Sequence, residues 1–169
     1  MKKITLVFLG LLILPFTTLK ADVYFSPSLF YSSFKQKSGG STNEDKLNIY
    51  NIKLGYAFTN NIYLGAVYDI EDLGTNTERK SLGVGVGYIQ SGWNFHLNYY
   101  LSSEFTNGAN KLEGDGLAIE IGYAYDLGAW AIGPSITHRI FNYDEQNGTS
   151  IPKITQTRTL PYVLLQFKF

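Results

Sequence analysis

Apolar and polar residues alternate along most of this chain in short runs with a period of two. From Trp93 the apolar set is Trp93, Phe95, Leu97, Tyr99 and Leu101, with Asn94, His96, Asn98, Tyr100 and Ser102 between them. From Leu117 it is Leu117, Ile119, Ile121, Tyr123 and Tyr125, against Ala118, Glu120, Gly122 and Ala124. Near the C-terminus Val163, Leu165, Phe167 and Phe169 alternate with Tyr162, Leu164, Gln166 and Lys168. Similar runs cover 23–34, 47–58, 62–71, 80–89 and 130–141, which makes eight in all. Successive side chains of a strand point to opposite faces, so each run predicts a strand with one apolar face.

The connections alternate in length. Thr59-Asn60-Asn61, Gln90-Ser91-Gly92 and Asp126-Leu127-Gly128-Ala129 are short and carry residues that accept positive φ. Those at 35–46, 72–79, 103–115 and 142–157 are long and rich in Ser, Thr, Asn, Gly and charge. Ionised residues are almost absent from the apolar parity. Lys53, Asp69, Glu71, His96, Glu104, Glu120, Arg139, Arg158 and Lys168 fall on the other. An apolar outside and a charged inside predict an all-β fold, an eight-stranded antiparallel up-and-down transmembrane β-barrel. Lipid offers no partner to a bare strand edge, so the sheet must close on itself. Beside the short turns, on the outward parity, stand Tyr56, Phe58, Ile62, Tyr88, Trp93, Tyr125, Trp130 and Phe169. All but Ile62 are aromatic, and rings with apolar bodies and polar tips gather in a girdle at a membrane interface.

Composition sharpens this picture. Met1-Lys2-Lys3, the apolar run from Ile4 to Leu14 and the small residue Ala21 before Asp22 read as a signal peptide over 1–21, followed by the barrel over 22–169. That run is shorter than the roughly 20 residues a membrane helix needs. Lys+Arg and Asp+Glu each total 14; without Lys2, Lys3 and Lys20 the balance is 11 against 14, a net of −3. Nothing here attracts nucleic acid. The absence of cysteine excludes disulfide frameworks, thiolate metal sites, cysteine nucleophiles and a lipoprotein anchor after the leader.

Two local patterns carry a family likeness. The chain ends Val163-Leu164-Leu165-Gln166-Phe167-Lys168-Phe169, and apolar-Gly-aromatic triplets recur at Leu54-Gly55-Tyr56, Val86-Gly87-Tyr88 and Ile121-Gly122-Tyr123. With the order of strands and turns, residues 22–169 resemble the small eight-stranded bacterial outer-membrane barrels of the OmpA membrane-domain, OmpX and OmpW types. The resemblance implies a multi-pass protein of the outer membrane of a Gram-negative bacterium. It implies Val163, Leu165, Phe167 and Phe169 as the signal read by the outer-membrane assembly machinery, after periplasmic chaperones. Outer-membrane lipid and lipopolysaccharide are the further partners, and Lys and Arg near the outer rim suit lipopolysaccharide phosphates. An even strand count puts both termini in the periplasm. A monomer without cofactor is expected.

Eight strands enclose a space that side chains can fill. Lys53, Asp69, Glu120 and Arg139 fall near mid-depth, and opposite charges there should pair, because an isolated ion away from water is heavily penalised. The first reading is therefore a barrel plugged by polar groups, with a structural or surface-interaction role carried by its extracellular loops. The second is a narrow conduit for small solutes, resembling the OmpW type. Inward glycines (Gly55, Gly65, Gly83, Gly85, Gly87, Gly122 and Gly133) leave room for large neighbours or for water. A lipid-modifying enzyme comes third and is not expected. The only histidines are His96 and His138, and the His-x-Ser pair on a late strand that marks the deacylase-type barrels is missing. No metal site is expected either. A soluble lipocalin-like barrel comes last, since it needs the opposite pattern. Gly83-Val84-Gly85-Val86-Gly87 lies within a strand and is not a phosphate loop. Asn147-Gly148-Thr149 reads as a chance glycosylation sequon.

Overall fold

The computed structural model describes residues 21–38, 41–74 and 76–169. The strands are β1 (Ala21–Ser38), β2 (Ser41–Phe58), β3 (Ile62–Asp72), β4 (Thr77–Gln90) and β5 (Trp93–Asn107). They continue with β6 (Asn110–Tyr123), β7 (Tyr125–Asp126), β8 (Trp130–Gln146) and β9 (Thr149–Lys168), and no helix occurs among the described residues. The two-residue β7 carries on from β6 beyond Ala124, and both pair with β8. The wall therefore has eight staves, as the alternation predicts.

Each stave pairs antiparallel with its neighbours in sequence, and β1 also pairs with β9 through Tyr24↔Lys168, Phe25↔Phe167, Ser28↔Leu164 and Leu29↔Val163. The pairings form a ring: β1, β2, β3, β4, β5, β6 with β7, β8, β9 and back to β1. Reciprocal backbone bonds between Val23 and Phe169, both 3.0 Å, finish the seam at the C-terminus. Over this stretch the sheet leaves no open edge for lipid to meet.

Leu54, Leu64, Val86, Leu97, Ile119, Ile121 and Val163 are exposed on the outside. Their chain neighbours on the other parity are buried or half-buried, which is the apolar belt and filled interior of an outer-membrane barrel.

The short turns lie where the sequence places them. Asn61 (φ 66°) closes the first, Ser91 and Gly92 (φ 51° and 88°) the second and Gly128 (φ 94°) the third. The long connections do not survive as loops. Most of 35–46, 72–79, 103–115 and 142–157 is strand, and residues 73–76, 108–109 and 147–148 are all that separate strands at three of the four sites. Residues 39–40, in the fourth, lie outside the described residues. The alternation fades there because both faces of a hairpin beyond the membrane meet water, while its ladder hydrogen bonds continue. Asn147-Gly148, both at positive φ (48° and 79°), is a two-residue hairpin turn, and this explains the dipeptide without a glycan.

A second departure lies in β5. Its register against β6 shifts between Tyr100 and Ser103, where Leu101 and Ser102 are both exposed. This bulge reverses the parity beyond it. Ser102 and Glu104, expected inside, are thereby moved outward, and Ser103 takes the buried place.

Candidate functional site in the barrel interior

The interior is built by one parity from every stave. Near the short-turn end it is aromatic and amide-rich. Tyr24, Tyr63 and Ile89 form a cluster, and the Gln166 amide donates to the Tyr24 hydroxyl at 2.8 Å and to the Asn94 carbonyl. His96 lies above, its ring 5.2 Å from that of Tyr63.

The glycines of β4 are what admit these side chains. Gly87 faces His96 and Gly85 faces Asn98 across the β4–β5 ladder, and a methyl group on either glycine would meet its partner's polar head. The inward glycines there are filled by large neighbours. The Asn98 amide, the Ser28, Ser135 and Tyr162 hydroxyls and both His96 nitrogens have no hydrogen-bond partner among the described residues. Buried polar groups of this kind are sites for ordered water.

At mid-depth Lys53 Nζ donates to both Glu120 oxygens, at 3.0 and 2.9 Å, and to Asn51 Oδ1 at 2.7 Å. Thr137 Oγ1 donates to Glu120 Oε2 at 3.2 Å. Asn51 Nδ2 donates to Asp69 Oδ1 at 2.8 Å and joins this layer to the next. There Arg139 bridges Asp69 (3.1 Å) and Glu71 (2.8 Å), and the Tyr100 hydroxyl donates to Asp69. Above it Arg79 reaches Glu71 (2.6 Å), the Tyr143 hydroxyl (2.7 Å) and the Gln156 carbonyl, with the Phe141 ring 4.4 Å and the Phe105 ring 5.2 Å away. Arg158 Nη1 adds a third guanidinium to Glu71 at 3.0 Å.

The structure thus brings Lys53 to Glu120 and Asp69 to Arg139. The sequence reading assigned Glu71 and Arg158 to the interior without pairing them, and it missed Arg79, Tyr143 and Gln156. Arg79 was placed in a connection, yet it shares the parity of Ser81, Gly83, Gly85 and Gly87; extending the strand by that parity would have found it. The sequence pattern predicts an interior filled by polar groups alone, and the interior is partly apolar instead. Val67, Tyr100, Ala118, Phe141 and Tyr143 form an apolar cluster around the ions, and Ile49, Leu160 and Tyr162 form another.

Outside, Glu104 meets Lys111 at 2.8 Å, as does Glu113 at 2.6 Å. Their hydrogen bonds, Glu104's first, hold the Lys111 ammonium above its ordinary range. The backbone of Lys168 pairs with Tyr24, and its side chain lies outside the described ones. The signal peptide over 1–21 falls almost wholly on residues that are not described.

Tyr56, Tyr88, Trp93, Tyr125, Trp130 and Phe169 are exposed beside the short turns, whereas Phe58 is half-buried. Trp93, Tyr123 and Tyr125 run edge to face, with centroids 5.2 and 5.0 Å apart. Val163 is exposed on the last strand, and Leu165 and Phe167 are half-buried.

His138 is also outside, its Nδ1 2.8 Å from Thr159 Oγ1, with no carboxylate paired to it among the described residues. Nucleophilic catalysis asks for a hydroxyl, a base and a third group to orient the base, and the third is missing here. Among the described residues no three His, Asp or Glu side chains gather as a metal site.

Two cavities flank the network. One of about 230 Å³ at the short-turn end is lined by Ile89, Ala124, Trp130 and Gln166 among others. The other, about 420 Å³, lies at the long-hairpin end above Arg79 and Phe141.

Residues 21–151 match the family described as Gram-negative porin. No curated relative matches the sequence. Among solved structures, the outer membrane protein AlkL in lipid bilayers is 13% identical, with 88% of this chain and 90% of that one covered and a TM-score of 0.45. Neisserial surface protein A is 13% identical over 88% of this chain and 97% of its own, with a TM-score of 0.48. OmpT of Vibrio cholerae is 14% identical over 91% of this chain and 53% of that one, with a TM-score of 0.33.

Proposed function

The chain belongs to the Gram-negative porin family, and on that premise we propose that this outer-membrane barrel is closed along its axis and works through its surface. One observation carries the reading: hydrogen bonds cross the lumen between opposite staves at three heights. Lys53 on β2 reaches Glu120 on β6, Asp69 on β3 reaches Arg139 on β8, and Arg79 on β4 reaches Gln156 on β9. Each pair stands four places apart in a ring of eight. A solute would have to part all three.

The long hairpins then carry the role, in stabilising the envelope or in contact with other molecules, lipopolysaccharide among them. In this reading both termini face the periplasm, the mature unit is 22–169 and the barrel is a monomer. Its last strand is the segment that periplasmic chaperones and the assembly machinery handle. In this reading the chain is not an enzyme: among the described residues no acid orients the His138–Thr159 pair, and His96 is buried away from it.

A narrow conduit is the second reading. Family membership favours it, as do the unpartnered polar groups of His96, Asn98, Ser135 and Tyr162, which offer a hydrated seam past the mid-depth layer. Swelling of proteoliposomes in small sugars and amino acids separates the two. Closure predicts the rate of protein-free liposomes; faster, size-limited swelling would establish the conduit instead.

A further inference from the structure

We propose that the cavity at the long-hairpin end is a binding site for a small organic monoanion with a flat apolar body, an aromatic carboxylate being the type case. Its volume of about 420 Å³ lies in the range that holds small organic ligands. Phe105, Phe141 and Leu73 supply apolar wall, and Gln156, Thr157 and Thr77 supply polar groups.

Charge decides the sign of the ligand. The two ionised residues that line the cavity are Arg79 and Arg158. The nearest acid, Glu71, is buried and already bound by Arg79, Arg139 and Arg158. In this layer three guanidiniums face two carboxylates, Asp69 and Glu71, while Lys53 and Glu120 below neutralise each other. Among the described side chains of this layer one positive charge is left over, and they offer a cation no partner.

Hydrogen bonding decides the valence. Each nitrogen of Arg79 already donates to a partner, Tyr143, Glu71 or Gln156, and its plane lies against Phe105 and Phe141. It forms wall. Arg158 is 34% exposed, and only Nη1 is engaged, by Glu71. The Gln156 carbonyl holds Arg79, and its amide nitrogen has no described partner. One guanidinium edge with one amide beside it suits a single carboxylate, whose two oxygens match the fork. The apolar walls take the ring.

The site does not depend on whether the interior conducts, because binding is read directly. The test is an amide chemical-shift titration of the full-length protein product in lipid nanodiscs with benzoate, benzyl alcohol and benzylammonium. These share a ring and differ in charge. Benzoate is expected to shift Arg79, Phe105, Phe141, Gln156 and Arg158, and to bind about 10-fold or more tighter than the alcohol, as a charge-assisted contact requires. Benzylammonium should shift none of them. Arg158→Gln is expected to abolish the preference and Arg158→Lys to keep part of it. If Arg158→Gln does not fold, Phe105→Ala should weaken benzoate and alcohol together while keeping their order. Equal binding of the three probes would overturn the proposal. So would shifts spread over the lipid-facing belt at Leu97 and Ile119, or benzoate binding that ignores both the Arg158 and the Phe105 substitutions.

Discussion

Lys53 and Glu120 meet across the centre of the barrel, nitrogen to oxygen at 2.9 Å, from strands on opposite sides of the ring, with side-chain exposures of 0% and 2%. Two charges removed from water at that depth gain from each other only because Asn51 and Thr137 satisfy what remains of their bonding capacity. The pair is a strut, since it holds β2 and β6 at a fixed span.

Removing one partner should therefore cost more than removing both. Lys53→Met is expected to lower unfolding stability by about 3 kcal/mol or more, because it strands the Glu120 charge. Lys53→Met with Glu120→Leu should recover most of that loss. Guanidinium unfolding in detergent, followed by the heat-shifted gel band, gives both values. Equal losses in the single and double variants would mean the pair is not buried.

The β4 glycines are read the same way. Gly87→Ala pushes a methyl group into His96, and overpacking of this kind costs about 1–3 kcal/mol. His96→Ser in the same chain should restore part of that stability, the Phe95 carbonyl oxygen at 2.9 Å accounting for the remainder. If it does not, the His96 ring does not lie over Gly87.

The bulge in β5 makes a sharper demand. Strict alternation puts Ser102 inside, whereas the structure exposes it on the outer face, opposite Leu82. Ser102→Arg should then assemble at near wild-type level. Leu97→Arg, in the belt, should lose about 2–4 kcal/mol. Folded yield in the outer membrane compares them, and failure of Ser102→Arg alone would remove the bulge from the account.

Phe169 closes the seam by bonding both ways to Val23, and its ring stacks on Phe167 with centroids 6.5 Å apart. Phe169→Asp should reduce insertion and leave unfolded chain in the periplasm, as cell fractionation would show. Normal assembly of that variant would refute a role for the last residue.

Most of the wall was legible in the sequence, because lipid on one side and packed ions on the other impose a strict period of two. The short turns were legible for a related reason: Asn61, Ser91-Gly92 and Gly128 stand where positive φ is needed. The long hairpins were not, since water bathes both faces there and the pattern dissolves while the backbone pairing persists. Arg79 lies buried at the foot of such a hairpin, and its charged neighbours Glu78 and Lys80 mask its inward parity in the sequence. The outward turn of Glu104 follows from the one-residue slip at Leu101–Ser102, which no alternation rule signals. Which acid meets which base was legible only for residues at similar depth. Partners such as Gln156 and Tyr143 depend on the shear of the ring, and that is fixed by the pairing of β1 with β9.

Single-channel recording reads out the proposed closure of the lumen by the three crossings. Folded protein with heat-shifted mobility is added to a planar bilayer, and a general porin is added afterwards to show that the bilayer can report pores. Silence is expected until the second addition. Discrete, repeatable conductance steps from this protein alone would contradict it and make the Lys53–Glu120 layer a gate.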